Sequence, residues 1–325
     1  MRFRPRKPIT LGVDVGGTKI KTALVDSNDQ ILSSRKIFIN SNKTPDGVIE
    51  DILECVKECL DEAELEAEAL GIGVAAQLDI DGVVISSPNL NWRNLPFKEK
   101  LEKRIDLPVF VTNDVRAAAW GEWHCGSGKG ETDLAVLFVG TGIGGSIISG
   151  GKMLFGCNNS CGELGHITIV AGGRKCHCPN TGCLEAYSGG WAIAERAQEA
   201  AIADCERGKS LISSAGNLKE ISAATVSQAF SRGDPLAIQI VEETGKYLAA
   251  GVVSIVNAFN PCLFILGGGV IEGLPELISL VEKETRHKAL ESSLQKLRIV
   301  KATLGDNAGV IGAARLARRE ILENP

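Results

Sequence analysis

Short apolar runs alternate with amphipathic stretches along most of the chain. From Ile9 to Val15 the residues read as a buried strand, and DVGGTKIKTALVD then turns tightly through glycine into a second. Asn28-Asp29 turns into a third strand, Ile31 to Ile39. Pro45 and Asp46 open a helix whose apolar stripe (Val48, Ile52, Cys55, Val56, Cys59 and Leu60) fits 3.6 residues per turn. A buried strand at Leu70 to Ala75 leads into a polar loop and hairpin, QLDIDGVVISSPNLNW. A helix from Phe97 to Ile105, a strand from Val109 to Thr112 and a helix entered at Asn113-Asp114 (VRAAAWGEW) complete this half. The alternation predicts an α/β fold.

A second sheet is expected from Asp133, in LAVLFVGTGIGGSIISGGKML. It repeats the first motif in outline: apolar strand, glycine turn with one threonine, second strand. VDVGGTKI and FVGTGIGGSI therefore read as two copies of one structural unit. His166 to Val170 reads as a further strand, Ala192 to Ala258 as mainly helical, and Asp234-Pro235 as the start of a long helix. Pro261 ends that helix before the strand CLFIL, which runs into the glycines at 267–269. A strand over 297–301, the turn LGDNAG and a helix from Val310 close the chain.

A chain of 325 residues, 44% hydrophobic, has material for two domains. Its formal net charge of −5 argues against binding dominated by nucleic-acid phosphates. Arg2, Arg4, Arg6 and Lys7 form a short basic tail with no apolar run behind it, and no segment is long and apolar enough to span a bilayer. The ten cysteines then imply a reducing compartment, and a cytoplasmic protein is expected.

The chemistry concentrates between Cys161 and Gly190. Cys176, Cys178 and Cys183, in C-x-C-x4-C order with His166 upstream, suit a closed tetrahedral zinc site. Glu163 and Glu185 flank it, so a loop stiffened by zinc would hold two acids ready for a small polar ligand. Gly16, Gly17 and Thr18 form a turn of the kind that aims backbone amides at phosphate, with Lys19 and Lys21 beside it. Thr141 and Gly142 belong to a second such turn, and Gly267 and Gly268 follow a strand where backbone can approach a flat ring. Asp14 is placed to hold Mg²⁺ through water, or else to cap the turn. Asp114 reads equally as a catalytic carboxylate or as the N-cap of its helix.

Taken in order, DVGGTKI, VTNDVRAAAWGEW, VGTGIGGSI, GELGH, CHCPNTGCLEAYSGG, LGGGV and LGDNAGVIGAA resemble the motifs of the ROK family (repressor, open reading frame, kinase). The resemblance runs from about Ile9 to Leu316. It implies the actin-like ATPase (ribonuclease H-like) fold, in which two α/β domains close over a sugar and ATP. Residues 1–116 with 308–325 would form the smaller domain and residues 117–307 the larger, in a homodimer. The resemblance makes Asp114 the general base of an ATP-dependent hexose kinase and Asn113, Glu163, His166 and Glu185 its sugar contacts. It makes His166, Cys176, Cys178 and Cys183 the ligands of a structural zinc, and Gly17, Thr18, Lys19, Lys21, Thr141 and Gly142 the phosphate contacts. PNLNW at 88–92 is similar to glucokinase-like members, which points to glucose, with N-acetylhexosamines and fructose as alternatives. The loop Ala75-Ala76-Gln77-Leu78-Asp79 departs from the P-G-x-[VL]-D of many members, and Pro179 stands where glycine is usual. Sugar-responsive repressors of the family carry a helix-turn-helix before the first motif; the thirteen residues ahead of Asp14 are too few for one, so turnover is expected rather than sensing alone.

Overall fold

The computed structural model describes residues 8–39 and 42–323, so the basic tail lies outside the described residues. The chain divides into two compact units. The first runs to Gly130 and takes in Phe155–Cys161 and the chain from Thr303 onward; the second holds Glu131–Leu154 and Gly162–Ala302. The break expected after residue 116 falls inside a helix that belongs wholly to the first unit.

The first unit holds strands β1 (Thr10–Val15), β2 (Lys19–Val25), β3 (Ile31–Phe38), β4 (Leu70–Val74), β5 (Gln77–Leu78), β6 (Val84–Ser87), β7 (Trp92–Leu95) and β8 (Val109–Asn113). Its helices are α1 (Pro45–Ala63), α2 (Phe97–Glu102) and α3 (Asp114–Cys125). The second unit holds β9 (Leu134–Val139), β10 (Ile143–Ser149), β11 (Lys152–Met153), β12 (Leu263–Gly267) and β13 (Arg298–Lys301). Helices α4 (Glu185–Ser188), α5 (Gly190–Ala203), α6 (Cys205–Ala215), α7 (Ala223–Ser231), α8 (Pro235–Phe259), α9 (Gly269–Gly273), α10 (Glu276–Lys288) and α11 (Glu291–Leu294) surround that sheet. The chain then returns to the first unit as α12 (Ala308–Glu323).

The repeat read from the sequence is real. The sheet orders are β3-β2-β1-β4-β8 and β11-β10-β9-β12-β13. In each, the opening three strands pair antiparallel and the last two add in parallel. Each unit builds a separate apolar core around its own sheet. The α1 stripe is buried as its spacing requires, and Thr44 caps that helix by accepting from the Gly47 amide. In the first unit α12 lies directly on β1 and β4. A Cβ on Gly12 would sit 1.9 Å from the Val310 carbonyl oxygen, and one on Gly71 1.9 Å from that of Ala313, so both positions require glycine. Thr10 donates to the Ala314 carbonyl, and buried Arg318 donates to Asp29 and to the Val25 carbonyl. No described helix is long and apolar enough to cross a membrane.

Candidate active site

The strand expected over His166 to Val170 does not form. Leu164–His166 is a 3-10 turn, and beyond it only an isolated bridge, Thr168 to Cys183, has strand geometry. The segment instead folds across the cysteine loop, with the amides of Ile169 and Leu184 bonding to the carbonyls of Gly182 and Ile167. This brings one donor atom from each of His166, Cys176, Cys178 and Cys183 within 4.8 Å of one another. His166 Nδ1 is 3.7 Å from Cys176 Sγ, and Cys178 Sγ is 3.6 Å from Cys183 Sγ. Four donors about 2.3 Å from a tetrahedral ion stand about 3.7 Å apart, so the residues fit zinc. Burial pushes the Cys176 thiol up to about 12.

Glu185 opens α4 beside this loop and is 9% exposed. Its Oε2 accepts from the Ile143 amide at 2.7 Å and its Oε1 from Trp191 Nε1 at 3.2 Å. The carboxylate is thereby fixed to the turn at 140–142. That turn is held from behind by α5, whose Gly190 and Trp191 amides donate to the carbonyls of Gly140 and Thr141. The amides of Thr141 and Gly142 have no hydrogen-bond partner among the described residues, an arrangement that receives an anion. Glu163, at the start of the 3-10 turn, is exposed.

A cavity of about 840 Å³ opens beside this turn, within the second unit. Its walls include Gly140, Thr141, Trp191, Ser222, Gly269 and Val270. Gly269 rather than Gly267 or Gly268 faces it: Gly267 packs on Phe138 and Ala302, and Gly268, at φ 92°, carries the chain past the Val139 backbone into α9. Trp191 was not legible as a site residue; the sole signal is a large aromatic directly after SGG at a helix start.

In the first unit the turn after β1 is closed by the Gly16 amide on the Lys19 carbonyl, and the amides of Gly17 and Thr18 have no partner among the described residues. Lys21 Nζ donates to Asn307 Oδ1 at 2.6 Å, while Lys19 and Lys36 stand 3.6 Å and 3.2 Å from the Asp306 carboxylate. Two lysines thus share the Asp306 carboxylate while Lys21 is held by Asn307 and the Asp306 carbonyl, leaving a positive surface beside the turn. Asp14, at the end of β1, has its carboxyl raised to about 7, first by burial and then by the neighbouring Asp114 charge. A carboxylate with that burden suits a divalent cation.

Asn113, and not Asp114, caps α3: its side chain accepts from the Arg116 amide at 3.0 Å. Its Nδ2 donates to the Ala76 carbonyl. Arg116, 7% exposed, donates to Oδ1 and to the carbonyl of Asn159, whose Nδ2 donates in turn to the carbonyls of Leu78 and Asp79. The divergent loop at 75–79 is therefore gripped by its backbone, and the grip tolerates its unusual side chains. Neither Arg116 nor Asn159 was recognisable from sequence, because their partners are carbonyls from two distant segments, 159–161 and 78–79.

Residues 10–320 match the ROK family. Over 313 residues the chain is 36% identical to a glucokinase of Streptomyces coelicolor, covering 95% of this chain and 98% of that one. It is 32% identical to an N-acetylmannosamine kinase of Escherichia fergusonii, over 96% of this chain and 99% of the relative. The solved structure of a ROK family glucokinase from Streptomyces griseus in complex with glucose and AMPPNP superposes with a TM-score of 0.84 at 36% identity, over 96% and 99% of the two chains. The two repeated sheets are those of the actin-like ATPase fold expected from the motifs. By motif order, by fold and by relatives matched along almost its whole length, the chain belongs to the ROK family.

Proposed function

We propose that the protein is an ATP-dependent hexose kinase that phosphorylates glucose at the 6-hydroxyl. The observation that carries this is local: Asn113 takes the capping duty at α3, so the helix end does not require the Asp114 carboxylate. Asp114 then orients the attacking hydroxyl and accepts its proton as the bond to phosphorus forms. Asn113, Glu163, His166 and Glu185 are the proposed sugar ligands, with Glu185 fixed by Ile143 and Trp191. The open amides at 17–18 and 141–142, with Lys19 and Lys21, are the proposed contacts of the triphosphate. Mg²⁺ associated with Asp14 would offset charge on the phosphates.

Zinc on His166, Cys176, Cys178 and Cys183 would have no open position for water, so its contribution is to fix the loop. The approach of His166 Nδ1 to Cys176 supports a role for the ring's other nitrogen toward the sugar.

The 36% identity to a glucokinase favours glucose; N-acetylmannosamine is the second reading, supported by a kinase for it at 32%. ADP release from ATP·Mg²⁺ across a sugar panel tests both. Glucose is expected to give the highest kcat/KM. A lead of tenfold or more for N-acetylmannosamine or fructose replaces the substrate, and no sugar-dependent release overturns the kinase reading.

A further inference from the structure

Trp191 touches both halves of the proposed reaction. Its indole Nε1–H bonds to Glu185 at 3.2 Å, its own amide donates to the Thr141 carbonyl at 3.1 Å, and the residue forms part of the wall of the 840 Å³ cavity. One ring face is covered by His177, stacked at 4.0 Å between centroids and 24° between planes. His177 lies between Cys176 and Cys178, so the shelf is carried by the same loop that gathers the four metal-type donors. Stacking at this distance fixes an aromatic plane against rotation. A hydrogen bond to a charged carboxylate is among the stronger contacts available to a side chain.

We propose that Trp191 is a positioning residue that joins donor and acceptor sites. Its N–H aims the Glu185 carboxylate at the sugar while its ring walls the nucleotide cavity, and His177 holds the ring in place. This rests on the kinase reading above. The two jobs belong to different atoms of one side chain, so substitutions separate them. Phe keeps an aromatic wall and lacks the donor; Leu lacks both.

The test is steady-state kinetics of Trp191→Phe, Trp191→Leu and His177→Ala, with titration of a non-hydrolysable ATP analogue followed by tryptophan fluorescence. Trp92, Trp120 and Trp123, the other tryptophans, all lie in the first unit. Trp191→Phe is expected to raise the sugar KM about tenfold, from loss of one hydrogen bond to a charged group, while the ATP KM stays within about twofold. Trp191→Leu should raise both constants, and His177→Ala should raise the ATP KM with a smaller effect on the sugar. The analogue should change the fluorescence of the wild type and not that of Trp191→Phe. A sugar KM within about twofold of wild type in Trp191→Phe overturns the proposal. So does a parallel fall of kcat and melting temperature in all three variants with both KM values unchanged, since that describes a structural residue. Turnover is not needed for the fluorescence arm. An analogue response that is lost in Trp191→Phe, in a protein inactive on every sugar, supports the cavity wall while sinking the kinase reading; no response in wild type overturns the wall itself.

Discussion

Replacing Asp114 with Asn separates catalysis from architecture at one position. The side chain keeps its size, and the cap of α3 is untouched because it belongs to Asn113. Asp114 is the first residue of the helix, where a negative charge contributes about 0.3–1 kcal/mol through the helix dipole. Against that, removing the charge relieves Asp14, whose carboxyl is raised partly by Asp114. The net change in melting temperature should therefore stay within about 4 °C. Loss of a general base costs about 10²–10⁴ in rate, which is about 3–5 kcal/mol of barrier. Coupled measurement of ADP release should show kcat down at least about a hundredfold. Calorimetric titration should show glucose Kd nearly unchanged, because Asn retains an acceptor oxygen. Asn113→Ala supplies the contrast: it removes the cap and the link to Ala76, and should lose about 1–2 kcal/mol of stability. Retention of more than about a tenth of wild-type kcat in Asp114→Asn refutes its role as base.

Asp14 offers a test by pH. Its folded pKa of about 7 lies above the ordinary 3.8, so the group destabilises the metal-free fold increasingly as pH rises from about 4 to 7 and by a constant amount above that. Asp14→Asn should stabilise the metal-free protein at pH 8 by up to on the order of 4 kcal/mol but not at pH 4, seen as a higher melting temperature at pH 8 alone, while abolishing turnover; equal shifts at both pH values refute the assignment. Elemental analysis should find one zinc per chain, absent in Cys178→Ser together with a lower melting temperature, and metal-free wild-type protein purified without chelators would remove zinc from the account. Glu122, fully buried, accepts from the amides of Ser127, Thr303 and Leu304. Glu122→Ala leaves those three donors without their carboxylate and should cost about 3–5 kcal/mol in denaturant unfolding, with Glu122→Gln milder; a loss under about 1 kcal/mol would mean that water replaces the carboxylate at no penalty.

What could be read from the chain followed local rules. Short apolar runs, a 3.6-residue stripe and glycine turns report on neighbours in sequence, so β1, β2, α1 and the repeated sheet were visible. The cysteine cluster was visible because its members are close in sequence, and the structure gathers all four expected residues, even though the strand expected at His166 was not there. That stretch has apolar residues in a plausible alternation, but the 3-10 turn and the pairing with Gly182 and Cys183 claim its backbone. Asp114 read equally as base or as cap, but the cap belongs to the preceding Asn113; both side chains reach the next turn, and the sequence does not say which residue stands outside the helix. Arg116 and Asn159 act through contacts across long sequence distances, and single-sequence patterns carry no information on those; Trp191 bonds Glu185 only six residues back, but no local pattern marks an indole N–H as a carboxylate's partner.

The close seating of α12 on β1 and β4 has a consequence for biosynthesis. The Thr10 hydroxyl finds its carbonyl partner at Ala314, 304 residues later. At about 5–20 residues per second the ribosome needs roughly fifteen seconds to a minute to cover that interval. Until then the Gly12–Gly71 face of the first sheet has no helix over it, and Arg318 is not yet present to pair with Asp29. The strands made first are thus completed last, after the entire second unit has emerged. The nascent amino-terminal half is the form of this protein that most needs a chaperone.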